Sequence, residues 1–193
     1  SFYDASMDAQ LQERRTLTRD LREALEGDQL ELYFQPLYEG DGESLVGYEA
    51  LVRWRHRLRG FVPPSEFVPL AEDTGLIDPL GRWVLRRACA EAARWPEHLS
   101  VAVNLSAAQF RNGDLIEIVA RALDESGLPA RRLGVEITES LLMSNTEQVI
   151  SALRKLSAMG VRIAMDDFGT GYSSLAYLWR FPFDKLKIDR AFT

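Results

Sequence analysis

The sequence predicts an α/β fold built on a parallel sheet, and three observations support this prediction. Short apolar segments alternate with longer amphipathic ones from residue 28 onwards, which is the pattern of strand–helix–strand units. Some candidate strands, such as Val101-Ala102-Val103, are apolar at consecutive positions, as expected for strands buried on both faces. Chain breakers such as Gly127 and Gly160 separate the segments.

The elements follow one another in a regular order. An amphipathic helix is predicted over 8–26 and ends at Gly27, and we interpret residues 1–27 as a linker helix that precedes the main domain, residues 28–193. Six strands are predicted at 30–37, 45–54, 99–104, 133–138, 161–166 and 184–188. Helices are predicted near 64–73, 78–94, 113–126, 145–159 and 173–179.

Composition narrows the class of protein. The 193 residues are 46% hydrophobic and 27% charged, which is typical of one globular domain. No apolar run approaches the ~18 residues of a membrane span, so we expect no membrane contact by this domain. The single Cys89 excludes an internal disulfide and suits a reducing cytoplasm. A net charge of -6 disfavours a nucleic-acid polymer as partner but permits a small anionic ligand that arginines or metals neutralise locally.

Polar residues follow three of the predicted strands at the same point. Asn104 comes after Val101-Ala102-Val103, Glu136 lies 32 residues later, and Asp166 a further 30. This spacing fits one strand–helix unit per step. In a β/α barrel, polar residues at the carboxyl ends of successive strands converge on one mouth, where catalysis takes place.

The second predicted strand adds a carboxylate and a guanidinium on one face. With a period of two, Glu49, Leu51 and Arg53 share a face of Leu45–Trp54. Glu49 and Arg53 could form a structural ion pair, or they could be a metal ligand and a phosphate-binding group. The strand alone leaves both alternatives open.

The candidate ligands offer only oxygen donors. They are Glu49, Asn104, Glu136, Asp166 and Asp167. Oxygen ligands suit Mg²⁺ or Mn²⁺ and disfavour zinc, and His56 and His98 are not in metal-ligand spacing with each other, so packing or surface roles are expected for both. Adjacent Asp166 and Asp167 could serve two ions about 3.5–4 Å apart, an arrangement that supports displacement at phosphorus.

These residues resemble a known family. The motifs are Gln35-Pro36, Glu49-Ala50-Leu51-Val52-Arg53-Trp54, Asn104-Leu105-Ser106, Glu136-Ile137-Thr138-Glu139-Ser140, Asp166 to Ser174 and Lys187-Ile188-Asp189. In this order they resemble the signature of the EAL domain. Residues 1–27 resemble the end of a GGDEF-type domain and the linker helix that joins it to an EAL domain.

The resemblance implies a fold and an activity. EAL domains hydrolyse cyclic di-GMP to linear pGpG in a TIM-like (β/α)8 barrel with one antiparallel strand. We therefore expect cyclic di-GMP as substrate, two Mg²⁺ or Mn²⁺ ions, a homodimer, and fused GGDEF or sensor domains upstream. The domain itself is expected in the cytoplasm, although upstream segments could anchor the parent protein in a membrane.

The resemblance also implies roles for the metal-site residues. Glu49, Asn104, Glu136 and Asp166 would hold the first metal, with Asp166 bridging to a second ion that Asp167 also binds.

Further roles concern catalysis and substrate. By the same resemblance Lys187 would contact the nucleophilic water, and Glu139 would anchor a loop that couples metal binding to the dimer. Arg53 would bind a phosphate and Gln35 a guanine, with Leu51 beside them in the substrate-binding set.

One departure from the family pattern concerns length. A barrel of this kind needs about 250 residues, whereas this sequence stops after its sixth predicted strand, before the family's strand-seven glutamate and strand-eight glutamine. We expect an incomplete barrel here. It would belong to a longer parent, to a fragment stabilised by a partner copy, or to a swapped assembly, because an open barrel exposes a sheet edge.

Two other functions compete with the phosphodiesterase. The first is a receptor that binds cyclic di-GMP without cleaving it, especially for the 193-residue piece. Degenerate family members of that type lose the EAL glutamate or the aspartate pair. Glu49, Asp166 and Asp167 are all present here, which favours the enzyme for the parent protein. A glycosidase with paired carboxylates is the second, and it explains neither Asn104 nor Lys187.

Overall fold

The structure is a computed structural model that describes most of the chain. The described residues are 2–40, 42–111, 113–138, 140–141, 146–168 and 183–188. Within them, the backbone alone is described at 2–6, 146, 167–168 and 185–188.

The main elements of the described part are five α-helices and seven strands, together with the 3₁₀ helices Ala107–Phe110 and Ala130–Arg132. The helices are α1 (Phe2–Glu26), α2 (Pro64–Thr74), α3 (Ile77–Ala92), α4 (Leu115–Ser126) and α5 (Thr146–Ala158). The strands are β1 (Leu30–Tyr38), β2 (Leu45–His56), β3 (Gly60–Val62), β4 (Ser100–Asn104), β5 (Leu133–Thr138), β6 (Arg162–Phe168) and β7 (Lys185–Ile188). All six predicted strands are confirmed, β3 was not predicted, and the predicted helix at 173–179 lies outside the described residues.

The strands form one sheet in the order β1-β2-β4-β5-β6-β7, with β3 paired to β2. β1 runs antiparallel to β2, and every later step from β2 to β7 is parallel. Among the described strands, β1 and β7 lie at the two edges and do not pair with each other. Over the described strands, the sheet therefore has the topology of an incomplete β/α barrel, as predicted.

The hydrophobic core lies between the sheet and the helices. Trp54 of β2 is fully buried and packs edge-on against Phe67 of α2, with ring centroids 5.7 Å apart. Further along the sheet, Val135 and Ile163 are equally buried. Cys89 of α3 is fully buried in this core and is therefore a packing residue, and burial raises the pKa of its thiol to about 12. No helix in the described ranges combines the length and apolar character that a bilayer span requires.

The two halves of α1 differ in their surroundings. Leu17, Leu21 and Ala24, in the second half, are buried in the core and lie in the same cluster as Trp54. Met7 and Leu11, in the first half, are more than half exposed. The helix predicted as a linker thus also supplies one wall of the core that supports β2.

A buried histidine joins α1 to β2. His56, at the end of β2, is only 6% exposed, and its Nε2 lies 3.0 Å from Oδ2 of Asp20 in α1. Its Nδ1 accepts hydrogen bonds from the backbone N–H groups of Leu58 and Arg59. Because Nδ1 is an acceptor, Nε2 carries the proton and donates to Asp20. The packing role expected for His56 is confirmed.

This contact predicts an acid-sensitive contribution to stability. Burial would raise the pKa of Asp20, but hydrogen bonds from His56 and Arg19 and the charge of Arg19 outweigh it and hold the pKa below its ordinary 3.8. A carboxylate whose pKa is lower in the folded state than in the unfolded state stabilises the fold at pH values above its unfolded-state pKa. This stabilisation is lost as the pH falls through the folded-state pKa. We therefore expect the stability advantage of the wild type over Asp20→Asn to shrink below about pH 4.

Urea denaturation of both proteins at several pH values between about 3 and 7 measures this difference in the free energy of unfolding. A difference that stays constant through the whole range would show that ionisation of Asp20 does not contribute.

Candidate active site

Four candidate metal ligands project from the same face of four adjacent strands. Asn104 of β4 is aligned with Glu136 of β5. Glu49 of β2 is aligned with Ala102, one pleat before Asn104, and Asp166 of β6 is aligned with Thr138, one pleat after Glu136. Residues two apart in a strand share a face, so the predicted convergence at the carboxyl ends is present in the register of the sheet.

The four positions rise along the strands in the way that barrel tilt requires. Asn104 lies two positions after Ala102, and Asp166 lies two positions after Ala164, the partner of Glu136. The register therefore climbs four residues over the three steps from β2 to β6. A tilted eight-stranded barrel climbs about one residue per strand, so this diagonal brings the four side chains to a similar height at the mouth.

Glu49 and Asn104 touch directly. The amide Nδ2 of Asn104 donates to Oε1 of Glu49 over 2.7 Å. With Nδ2 used in this way, Oδ1 is the amide atom that can bind a cation. The contact joins the end of β4 to the middle of β2 and orients both side chains.

Glu136 is the most buried carboxylate of the set. Its side chain is only 2% exposed, and burial of an ionised carboxylate is costly unless hydrogen bonds or a cation compensate. Such a position is typical of a functional carboxylate. The exposed Asn104 beside it leaves the pair reachable from the mouth.

The described side chains provide some of the ligands that a metal site needs. Their donors are all oxygen atoms and share one face, which fits Mg²⁺ or Mn²⁺. No three His, Cys, Asp or Glu side chains of the described part are gathered as a compact metal cluster. Glu49 contacts the amide of Asn104, and Glu136 and Asp166 lie on the next two strands.

Three predicted residues lie wholly or partly outside the described structure. Glu139 and the glycine-containing segment after Phe168 are outside the described residues. For Asp167 in β6 and Lys187 in β7 the backbone alone is described. β7 pairs parallel to β6, with a register shift between Met165 and Phe168 that spans the two aspartates.

The predicted substrate-binding residues lie on β1 and β2. Gln35 is aligned with Glu49 and is exposed, while Leu51 and Arg53 follow Glu49 on the same face of β2 and are half-buried. Arg53 forms no ion pair within the described part of the chain. Its Nη1 donates to the carbonyl of Val52 over 2.9 Å. The structural ion pair with Glu49 that the sequence left open is therefore absent there.

Sequence reasoning missed Tyr33. This residue lies on β1 opposite Leu51, is 45% exposed, and has the Arg53 guanidinium 5.7 Å from its ring centroid. The alternation of side chains along β1 places Tyr33 on the same face as Gln35. This alternation is the sequence pattern that could have identified Tyr33 as a site residue. A half-exposed aromatic ring beside an arginine can stack on a nucleobase.

A cavity of about 460 Å³ opens beside these residues. Its lining combines polar site residues with apolar side chains from α2 and α3, among them Arg53, Asn104, Glu136, Glu72, Val68 and Leu80. The volume and mixed lining are typical of a small-molecule site.

Comparisons with known proteins show which family and which relatives this chain is similar to. The family model for the EAL domain matches residues 18–193. An uncharacterized signaling protein of Caulobacter vibrioides is 51% identical over 191 residues, covering 99% of this chain and 24% of that protein. The bifunctional diguanylate cyclase/cyclic di-GMP phosphodiesterase MucR of Pseudomonas aeruginosa is 46% identical over 195 residues, covering 99% and 28%.

A solved structure gives the same result. The PaMucR phosphodiesterase in complex with c-di-GMP superposes with a TM-score of 0.87 at 46% identity, covering 92% of this chain and 73% of that one. The chain spans about a quarter of the length of the curated relatives it matches. The predicted resemblance and the incomplete TIM-like barrel of EAL type are confirmed, and the chain belongs to the EAL domain family.

Proposed function

We propose that this domain hydrolyses cyclic di-GMP to linear pGpG with two divalent metal ions, Mg²⁺ or Mn²⁺. One observation carries the proposal: Glu49, Asn104, Glu136 and Asp166 follow the tilt of the barrel on one face of four adjacent strands. The relatives named as cyclic di-GMP phosphodiesterases support the same activity. We propose that the domain acts in the cytoplasm, as part of a longer protein with GGDEF or sensor domains upstream, and as a homodimer.

The metal ligands would come from the strand ends. Glu49, Asn104 through Oδ1, Glu136 and Asp166 would hold the first ion, and Asp166 and Asp167 the second. When bound, two such ions activate an attacking water and stabilise the charge that develops on phosphate oxygens. The negative charge of the buried Glu136 is one that a bound cation would offset.

Other residues would orient the reactants. Lys187 would hold the attacking water through its ammonium group, and Glu139 would anchor the loop that follows β5. These two roles rest on the family resemblance and on the position of Lys187 in β7, beside β6.

The substrate would lie over β1 and β2. Arg53 lines the cavity that Asn104 and Glu136 also line, and no carboxylate of the described residues pairs with its guanidinium, so it is suited to a phosphate. Tyr33 and Leu51, opposite each other across β1 and β2, offer an aromatic and an aliphatic surface to a guanine, and the exposed amide of Gln35 lies one pleat away. An anionic substrate needs a local positive charge such as that of Arg53, because the chain carries a net charge of -6.

Product analysis tests this proposal. The intact protein that contains this chain is incubated with cyclic di-GMP and Mg²⁺ or Mn²⁺, and nucleotides are separated by ion-exchange chromatography. We expect pGpG to accumulate, EDTA to stop its formation, and added Mn²⁺ to restore it. Cyclic di-GMP that is bound but not cleaved would support the receptor function and contradict the proposal, as would turnover that resists EDTA.

A further inference from the structure

We infer that Glu72 is a positioning residue for Asn104, acting through Ser106, in the metal-dependent reaction proposed above, on which this inference rests. Glu72 lies on α2 and Asn104 at the end of β4. Ser106, in the turn that follows β4, connects them.

The turn after β4 is held by a closed set of hydrogen bonds. The Ser106 hydroxyl donates to Oε1 of Glu72 and accepts from the backbone N–H of Ala108. The backbone N–H of Ser106 donates over 2.9 Å to Oε1 of Gln109, which completes a capping box at the start of the 3₁₀ helix Ala107–Phe110. The hydroxyl has one proton to donate, and Glu72 receives it.

This turn fixes the backbone that follows Asn104 in the chain. Before Asn104, β4 is paired on both sides, with β2 and β5. After it, the Leu105 N–H donates to the carbonyl of Glu136 over 2.9 Å, and Ser106 is tied to α2. The direction of the Asn104 amide, which touches Glu49 at 2.7 Å, therefore depends on a turn that Glu72 holds in place.

Helix α3 braces the same turn from another side. A Cβ built on Gly81 would lie 1.9 Å from Nε2 of Gln109, so the buried Gln109 amide rests directly against the α3 backbone. Gln109 in turn holds the N–H of Ser106. The turn is thus confined between α2 and α3, and displacement of Ser106 would be transmitted to Asn104 rather than absorbed.

The placement of Glu72 agrees with a role at the site. It is half-buried and lines the cavity that Asn104 and Glu136 also line. A hydroxyl–carboxylate hydrogen bond is charge-assisted and stronger than a neutral one. Partners that orient metal ligands typically change metal affinity by about 10–100-fold when they are removed.

The neighbouring residue provides a matched control. Asp73 is also acidic and lies on α2, but its carboxylate pairs with Arg14 of α1 and is largely exposed. Truncation of either side chain removes one negative charge from the same turn of the same helix. Only the change at Glu72 removes the acceptor for Ser106.

The test uses Mn²⁺ titrations of the intact protein, followed by electron paramagnetic resonance, beside kcat and KM for cyclic di-GMP and the thermal midpoint of unfolding. For Glu72→Ala we expect Mn²⁺ binding weakened about 10-fold or more and a lower kcat. Glu72→Gln keeps an acceptor for the hydroxyl and should stay within about 3-fold of the wild type, since it preserves the geometry. Asp73→Ala should match the wild type.

Ser106→Ala gives a second route to the same result. It removes the donor while Glu72 remains, so we expect the loss seen with Glu72→Ala, and Ser106→Thr should retain the wild-type affinity. This pair decides the question if Glu72→Ala does not fold.

The outcomes separate this inference from the proposed function. If the wild type binds Mn²⁺ and forms pGpG while Glu72→Ala and Ser106→Ala bind Mn²⁺ equally well, the positioning role is overturned and the function stands. If Glu72→Gln loses as much affinity as Glu72→Ala, the charge of Glu72 acts directly and the role through Ser106 is wrong. A wild type without Mn²⁺ binding or pGpG formation would overturn the function and this inference together.

Discussion

The Glu49→Gln variant should hydrolyse cyclic di-GMP on the order of 1000-fold more slowly than the wild type. It loses one anionic ligand from a metal site that supplies several kcal/mol of transition-state stabilisation, and about 1.4 kcal/mol corresponds to a tenfold change in rate. The substitution is nearly isosteric. Its amide oxygen can still accept the hydrogen bond from Asn104, so we expect the fold to persist while Mn²⁺ binding weakens. Steady-state pGpG formation and a Mn²⁺ titration measure the two effects.

A matched control makes this result specific. Glu91→Gln carries the same chemical change on α3, where Glu91 lies 3.7 Å from Arg94 and away from the strand ends, and it should leave both readouts unchanged. If Glu49→Gln retained wild-type Mn²⁺ affinity, Glu49 would not be a ligand.

Trp54→Ala should lower the free energy of unfolding by about 3–5 kcal/mol, the usual loss for a large aromatic side chain removed from a core. Trp54 is fully buried, packs against Phe67, and lies 5.2 Å from His56 between ring centroids. The cavity left behind would lie directly behind the strand that carries Glu49 and Arg53. Urea unfolding followed by circular dichroism gives the free-energy difference.

Trp54→Phe separates packing from hydrogen bonding. The indole Nε1 is buried and has no hydrogen-bond partner among the described residues, so the phenyl ring forfeits no polar contact. We expect a loss of about 1–2 kcal/mol, as for a smaller reduction in buried volume. An equal loss of unfolding free energy for Trp54→Phe and Trp54→Ala would mean that an aromatic ring at this position does not stabilise the core by packing.

The parts of the fold that were predictable follow from local periodicity. The alternation in β2 placed Glu49, Leu51 and Arg53 on one face, and the structure confirms it, since Ala50 and Trp54 are buried on the other. The spacing of Asn104, Glu136 and Asp166 placed them at successive strand ends because each strand–helix unit has a similar length, and the register confirms this.

The parts that were missed depend on contacts between distant residues. β3 has only three residues and pairs with β2 across the turn at residues 57–59, too short a segment to show a period. Glu72 and Ser106 are 34 residues apart, and each belongs to a residue type that is common on surfaces. Their contact depends on how α2 packs over the end of β4, which no local pattern contains.

The linker assignment shows the same distinction. The leucine pattern predicted α1, but it did not reveal that Leu17, Leu21 and Ala24 pack in the same core as Trp54. The family match from residue 18 begins where this buried half begins. Amphipathicity shows that a helix has an apolar face, whereas the partner of that face is set by the tertiary fold.

The central claim is that oxygen ligands from separate strand ends hold two divalent cations. Anomalous X-ray diffraction from crystals of the intact protein grown with Mn²⁺ tests it most directly. We expect two anomalous peaks at the carboxyl ends of the strands, one coordinated by Glu49, Asn104, Glu136 and Asp166 and the other by both aspartates. Manganese bound elsewhere, with the oxygens of Glu49 and Glu136 outside coordination distance of any peak, would contradict the account.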